Sequence, residues 1–414
     1  MLHRPNPFVG CLLAALASLL AGGLPLKAAA SEIRFGDIEA RMLATGPRAH
    51  IIQQAFTAAV AERDEALLWS NPALAYDHEE GRDAREWQVT LNKRFEQPFR
   101  QSAKRDGWES RVRSAELARD RDLAAHLADL KSGYVRLRLA EAYLGRLEHM
   151  AKVVDLAEDI ADSRHAEGGL SGVDWQLIQV AVYAVDAAGR AVRRDQRQEA
   201  ATWRAEMGLP VNAPVDLVTP VTFLPVNLSD PAVLAAGLEG RPANRSALEL
   251  VSALDRQAEA ARPSLVPGFE IFGGYKRFED ASDGFVAGAA VDLPLFGGNA
   301  GTSRRFTAER HMVDSARALD LAHTRGEVVA LSLAVTEAEE ALASIADRFQ
   351  DVAPLSDTLL FAYREGSLTL DALLGGLQVE AEALDSYFAE LAAYYDNIFR
   401  LEALTGVALM NFPE

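Results

Sequence analysis

The feature that most restricts what this chain can become is a set of very long stretches that carry one unbroken apolar seam. Leu331, Val335, Ala338, Leu342, Ile345, Phe349 and Val352 step by alternating fours and threes, as do Leu374, Leu377, Ala381, Leu384, Phe388, Leu391, Tyr395 and Ile398. That spacing keeps one stripe of each helix against a partner helix, as in a coiled coil. The first half has the same seam at Leu123, Leu127, Leu130, Tyr134 and Leu137, then takes an extra step of three to Ala140 before Leu144 and Leu147. Such a slip changes the supercoil locally. From about residue 102 to 166, and again from about 302 to 364, nothing breaks the pattern before Pro354. Some 60 residues of helix make a rod of about 90 Å.

The two halves repeat each other. Each predicts a short helix, two alternating segments, a very long helix, a Gly-containing turn and a second long helix. The turns read Glu167-Gly168-Gly169-Leu170-Ser171-Gly172-Val173-Asp174 and Glu365-Gly366-Ser367-Leu368-Thr369-Leu370-Asp371. Gly168 and Gly366 stand 198 positions apart, as do Gly208 and Gly406 at the ends of the return helices. Equal offsets at two landmarks are the mark of duplication. The halves are therefore 31–208 (strands about 72–99, helical hairpin about 101–208) and 243–414 (strands about 268–296, hairpin about 300–406). Between them, 209–242 holds Pro210, Pro214, Pro220, Pro225, Pro231 and Pro242, a linker expected to wrap around the rods.

The alternating segments separate this chain from an ordinary helical bundle. Trp87, Val89, Leu91 and Phe95 share one parity and Gln88, Thr90, Asn92, Arg94 and Glu96 the other, with Lys93 an exception on the apolar side. Phe269, Ile271, Gly273 and Tyr275, and then Phe285, Ala287, Ala289, Val291 and Leu293, alternate with polar or small residues more weakly; Ala73 to His78 is the shortest of the four segments. Strands of about ten residues with one apolar face suit a membrane β-barrel, one side to lipid and one to the lumen. The lipid-facing set is then Trp87, Val89, Leu91, Phe95, Phe269, Ile271, Tyr275, Phe285, Val291 and Leu293. Four strands cannot close a barrel and lipid does not tolerate an open edge, so such strands require several copies. Three copies give twelve strands. Pro98 and Pro294 end the two strand pairs, where a residue lacking an amide donor fits the exit from a sheet.

The N-terminus reads as an export leader. His3 and Arg4 precede an apolar run from Phe8 to Leu26, and Ala28 and Ala30 satisfy the small-x-small rule, which places cleavage after Ala30. A membrane anchor is the other reading of this run, but Gly10, Gly22, Gly23 and Pro25 interrupt it and no second apolar span follows. Cys11, the only cysteine, lies inside the leader, so the exported chain is expected to carry no thiol. Loss of Arg4 and Lys27 takes the formal charge from −18 to about −20, which disfavours nucleic acid. Catalytic chemistry finds no foothold: the eight histidines are scattered, and neither HExxH nor a phosphate-cradling Gly-Lys loop occurs. No cofactor or metal site is expected.

In the order and spacing of its motifs the chain resembles the TolC-like outer membrane factor family over nearly all of its length after the leader. The carriers are Asn71-Pro72-Ala73-Leu74, Val291-Asp292-Leu293-Pro294-Leu295-Phe296-Gly297-Gly298, Tyr363-Arg364-Glu365-Gly366-Ser367-Leu368 and Leu401-Glu402-Ala403-Leu404-Thr405-Gly406. The resemblance implies a homotrimer with a twelve-stranded barrel in outer-membrane lipid and an α-helical barrel in the periplasm. It also implies a periplasmic adaptor and an inner-membrane pump of the resistance-nodulation-division type as partners. The phrase at 293–298 is most similar to the CzcC and CusC branch, which implies heavy-metal efflux; drug efflux and type I protein secretion use the same duct. By the same resemblance Gly168, Leu170 and Ser171, with Gly366, Leu368 and Thr369, are adaptor-contacting hairpin tips. The glycines free the backbone to reverse, each Leu is expected to stand out as an exposed apolar anchor, and the hydroxyl caps the next helix. Turning alone also accounts for the glycine and the hydroxyl. Asp174 and Asp371 are candidate periplasmic gate residues, repeated as carboxylate rings in a trimer, although an acid at a helix N-terminus is stabilised by the helix dipole regardless. A soluble periplasmic coiled-coil scaffold is the competing reading from a different class.

Overall fold

The computed structural model describes residues 31–81, 85–95, 98–262, 268–278, 282–291, 300–350, 354–410 and 412. The leader ending at Ala30, together with Leu293 and Pro294, lies outside the described residues. The first half runs β1 (Ser31–Ile33), α1 (Ile38–Thr45), α2 (Pro47–Ala66), β2 (Ala73–Glu80), β3 (Arg85–Phe95), α3 (Pro98–Ala166) and α4 (Gly172–Glu206). After β4 (Val215–Leu217) and α5 (Pro231–Ala236), the second half runs α6 (Pro242–Ala260), β5 (Phe269–Arg277), β6 (Asp283–Val291), α7 (Ala300–Gln350), α8 (Leu355–Arg364) and α9 (Leu370–Thr405). The order of elements thus repeats, with α2 answering α6, each opened by a proline at its first helical position.

Helix α3 is 69 residues long, about 100 Å. Its counterpart is interrupted. Helix α7 ends at Gln350 and α8 starts after Pro354, which has no amide proton to give and whose ring crowds the preceding turn. The amide of Ser356 at the start of α8 instead donates to Glu380 Oε2 of α9 at 2.7 Å. Val352 and the side chain of Phe349, the last seam positions before the break, lie outside the described residues. Within them the seam is internal: Val335, Ala338 and Leu342 on α7, and Leu377, Leu384, Leu391, Tyr395 and Ile398 on α9, are buried.

Packing divides into two apolar clusters along the rods. The tip cluster joins Met150, Val153, Val154, Ala157 and Ala161 of α3 to Ile178 of α4, Tyr363 of α8 and Leu370, Leu373, Leu377 and Leu384 of α9. The other cluster forms a waist. There β1 pairs in parallel with β4, Ile33 opposite Leu217, and Val226, Leu234 and Leu238 of the 209–242 segment are buried against the rods. Three tyrosines on the rods bind this wrapping segment through its backbone. The Tyr134 hydroxyl accepts from the Thr219 amide at 2.9 Å, Tyr394 donates to the Leu224 carbonyl at 2.9 Å, and Tyr395 to that of Thr222 at 2.5 Å. Burial pushes the Tyr394 and Tyr395 phenols well above their usual range, and the neighbouring Glu339 carboxylate adds to the effect at Tyr394. Because irregular chain covers α3 here, Tyr134, Val135, Leu137 and Leu139 are all buried, and the helix loses its single-seam character.

Among the described residues the His126 ring is buried with no hydrogen-bond partner. The His126 side chain of α3 is 1% exposed and neither ring nitrogen is hydrogen-bonded; Glu206 Oε2 of α4 lies 3.9 Å from Nε2. Burial lowers its pKa below the unperturbed 6.5, outweighing the opposing carboxylate of Glu206. The unfolded chain therefore takes up a proton at a higher pH than the folded one, so stability is complete above 6.5 and falls as the pH drops below it. Thermal melting between pH 7.5 and 5 is expected to show this decline, and His126→Leu to flatten it. An unchanged slope in the variant would assign the acid sensitivity elsewhere.

Candidate functional site

Two surfaces carry the functional readings: the four-stranded sheet at one end of the rods and the hairpin tips at the other. The sheet has order β2-β3-β5-β6, every neighbour antiparallel. Its register sets Leu74 opposite Leu91, Tyr76 opposite Val89, Val89 opposite Tyr275, Phe95 opposite Phe269, Tyr275 opposite Phe285 and Phe269 opposite Val291. Directly opposed residues point the same way. All the described members of the lipid-facing set, Trp87, Val89, Leu91, Phe95, Phe269, Ile271, Tyr275, Phe285 and Val291, therefore share one face, and Leu74 and Tyr76 of the short first strand join them. Leu74 is 74% exposed and Phe285 94% exposed, with nothing in the protomer to cover them.

Aromatic rings gather at both ends of this face. Near the rods, Phe95 stacks on Phe269 at 5.1 Å and Trp69 lies 6.4 Å from Phe95. Near the far end, Trp87 lies 6.4 Å from Tyr76 and 5.5 Å from Tyr275. The six steps from Phe269 to Tyr275 span about 20 Å. Leu91, Ile271, Gly273, Ala287 and Ala289 occupy the rows between. By the same register Arg277 and Asp283 close this face beyond Tyr275, while Lys93, within the apolar rows, bends to the Ser70 carbonyl and over the Trp69 ring at 5.9 Å, so its ammonium leaves the apolar face at the rod end.

The other face is mainly polar, with Phe272 and Val286 its large apolar members. Lys276 pairs with Glu86, and Gln88 Nε2 donates to Asp77 Oδ2 at 3.1 Å. Thr90, Asn92, Arg94 and Glu270 share this side by register, with Arg94 opposite Glu270. Of the two central glycines, Gly274 is the one that crowding requires, since a Cβ there would lie 2.1 Å from the Val89 carbonyl oxygen; Gly273 has room. Among the described residues β2 and β6 are unpaired along their outer edges.

At the tips both turns use one solution. Gly168 (φ 78°) and Gly366 (φ 73°) adopt the left-handed conformation that side chains disfavour, and so do Gly208 (φ 68°) and Gly406 (φ 61°). Gly168 donates to the His165 carbonyl and Gly169 to that of Arg164, while Gly366 donates to Tyr363 and Ser367 to Ala362, so the last carbonyls of α3 and α8 are satisfied alike. Ser171 caps α4 by accepting from the Asp174 amide at 3.1 Å, and Thr369 caps α9 by accepting from Ala372 at 3.3 Å.

The tip leucines depart from expectation. Leu170 and Leu368 are half-buried and pack on the tip cluster, because an apolar side chain just past a helix end folds back over that helix. The two aspartates also differ. The Ser171 hydroxyl donates to Asp174 Oδ2 at 2.8 Å, closing a local capping pair, whereas Asp371 is exposed. The 198-residue offset places Ala372 opposite Asp174 and Val173 opposite Asp371, about 100° apart on their helices. Sequence reading missed the brace of the first tip, in which His165 stacks on Trp175 at 5.4 Å and Trp175 Nε1 donates to Asp162 Oδ1 at 2.6 Å. It also missed Arg164, which donates to the Tyr363 carbonyl at 3.0 Å and covers the Tyr363 ring, tying one hairpin to the other.

Among the described residues no group of His, Cys, Asp and Glu could hold a metal ion, and no helix is long and apolar enough to cross a membrane. No family model and no curated protein matches the sequence. Solved structures match in shape. The outer-membrane channel OprN superposes with a TM-score of 0.75 at 15% identity, covering 90% of this chain and 89% of that one. The CmeC outer membrane channel of Campylobacter jejuni gives 0.74 at 12% identity over 94% and 91%, and CusC 0.70 at 15% over 93% and 95%. This chain shares the fold of outer-membrane channels: long helical hairpins joined to a small sheet.

Glycine replacement separates the turns from the waist. Gly168 and Gly366 face open space, so Ala at either is expected to cost about 1–2 kcal/mol from backbone conformation alone. At Gly208 a Cβ would meet the Thr45 carbonyl oxygen at 2.1 Å, and Gly208→Ala is expected to cost clearly more in the same thermal melt. Equal losses at all three positions would contradict this account.

Proposed function

We propose that the chain is the outer-membrane channel subunit of a tripartite efflux system, a passive exit duct that assembles as a homotrimer. The observation that carries this reading is the sheet, apolar and uncovered on one face, charged and hydrogen-bonded on the other, with both edges free. In lipid such a sheet has to pair its edges with other copies, and four strands from each of three copies make a twelve-stranded barrel. The aromatic rows at the two ends of the apolar face lie where a membrane-spanning barrel carries its interfacial girdles. The band between them runs about 20 Å along the strands, which at the tilt of such barrels is about 15 Å of the roughly 25 Å they present to lipid. A soluble periplasmic scaffold gives no reason for Leu74 and Phe285 to stand uncovered on one face.

In this reading the rods continue the barrel into the periplasm. The tips at Gly168, Leu170 and Ser171 and at Gly366, Leu368 and Thr369 meet a periplasmic adaptor that couples the duct to an inner-membrane pump of the resistance-nodulation-division type. With Leu170 and Leu368 folded inward, the turn backbone and its hydroxyls provide more of that contact than the leucines. Asp371, exposed in the first turn of α9, is the better placed of the two gate candidates, since Asp174 is engaged as a cap. Outer-membrane lipid is the remaining partner; nucleic acid, cofactors and catalysis have no part. The similarity of 293–298 to the CzcC and CusC branch favours heavy-metal cations as cargo. A water-filled duct needs no metal ligands of its own to pass them.

Two substitutions test the barrel. Arginine on the lipid side of a membrane barrel costs about 2–4 kcal/mol near mid-depth, while the lumen accepts it. Leu91→Arg is therefore expected to reduce assembly into the outer membrane and its adjacent neighbour Asn92→Arg to leave it largely intact, read by fractionation and heat-modifiable migration. Equal tolerance, or wild-type chain in the soluble periplasm, would return the molecule to the scaffold reading. For the cargo, a deletion strain is expected to become sensitive to zinc, cobalt, cadmium, copper or silver salts. Sensitivity to antibiotics alone would overturn the metal assignment while leaving the duct in place.

A further inference from the structure

Helix α4 packs on α3, α3 on α9 and α9 on α7, so α4 and α7 are the two flanks of this row of rods. Over one stretch of each, the flanks carry side chains of opposite charge. On α4, Arg190, Arg193, Arg194 and Arg197 recur at helical spacing and form one basic stripe in a chain whose net charge is −18. Their partners inside the protomer are sparse. Arg190 and Arg194 reach only Asp186 and Asp195 on their own helix, Arg193 reaches Glu148 at 3.4 Å, and Arg197 has no carboxylate partner among the described residues. Arg194 is 75% exposed.

On α7 no lysine or arginine occurs between Arg325 and Arg348. Glu327 of this stretch binds Arg400, and Glu339 turns inward to accept from the Val226 amide at 3.2 Å. Glu337 and Glu340 stay exposed and unpaired among the described residues. The two stripes stand at one height. By the 198-residue offset, Glu337 and Glu340 occupy the level of Leu139 and Ala142 on α3. The Arg136–Glu199 and Arg193–Glu148 pairs show that this part of α3 is level with 193–199 of α4.

We infer that the arginine stripe of α4 in one copy docks on Glu337 and Glu340 of α7 in the next, a heterologous seam that closes the ring and fixes its vertical register. The inference rests on the trimeric reading above and adds the surface that joins the copies. A seam from unlike flanks propagates around a ring, each copy offering its basic edge to its neighbour's acidic edge. Charge complementarity sets register and excludes wrong partners more than it adds affinity.

The test uses the full chain in detergent, with particle mass followed by light scattering. Arg194→Glu with Arg197→Glu, and separately Glu337→Arg with Glu340→Arg, are each expected to raise the concentration at half-dissociation by about tenfold or more, since two attractions per seam become repulsions. All four substitutions in one chain exchange the signs and are expected to recover most of that loss. Arg197→Cys with Glu340→Cys is expected to give a covalent ladder ending at three chains under oxidation. A four-fold variant no better than either pair, or no ladder from an intact trimer, would overturn the seam and assign the arginines to another partner. A wild-type chain that is itself monomeric would instead bring down the trimeric reading, so the two failures are distinguishable.

Discussion

Everything in this molecule answers to the open edges of a four-stranded sheet. Among the described residues the outer-edge backbone amides and carbonyls of β2 and β6 have no strand partner, and the face they border is uncovered apolar surface. In water the bare apolar face is costly, and in lipid the unpaired backbone groups are. In the proposed trimer further copies pair the edges and lipid covers the apolar face. On that proposal the rods inherit the consequence, since helices continuing a closed barrel would themselves stand in a ring, each flank meeting an unlike flank.

The waist is what makes such rods rigid. A two-helix seam about 100 Å long bends easily, and the chain counters this by wrapping the proline-rich segment around the middle and bonding its carbonyls to Tyr394 and Tyr395. Phe35, Tyr134, Tyr395, Phe399 and Phe412 pack together there, joining both ends of the chain to the rods. Below the waist packing thins to a single seam and the tip cluster. The second rod is broken at Pro354, so what flexibility the hairpins have is directed toward the tips.

Much of the fold was legible in the sequence because it is periodic. Steps of three and four named the helices, steps of two named the strands, and the equal spacing of four glycines gave the duplication; all four have the positive φ that explains their place. The register of the sheet was not legible, yet alternation alone put the described members of the apolar set on one face, since a period of two leaves only two faces. What escaped was long-range and polar. Arg164 reaching the Tyr363 carbonyl, Glu380 capping α8 and Trp175 bracing the first tip join residues 13 to 199 positions apart with no local signal. The tip leucines were misjudged for a related reason. Sequence shows that a residue sits in a turn, whereas whether it folds back depends on the apolar surface beneath it.

Conductance across a planar lipid bilayer is the most direct test of the central claim. Purified protein is expected to insert and give discrete, ohmic, water-filled channels built from three chains. A chain that stays monomeric in detergent and leaves the bilayer electrically silent would contradict the account at its root.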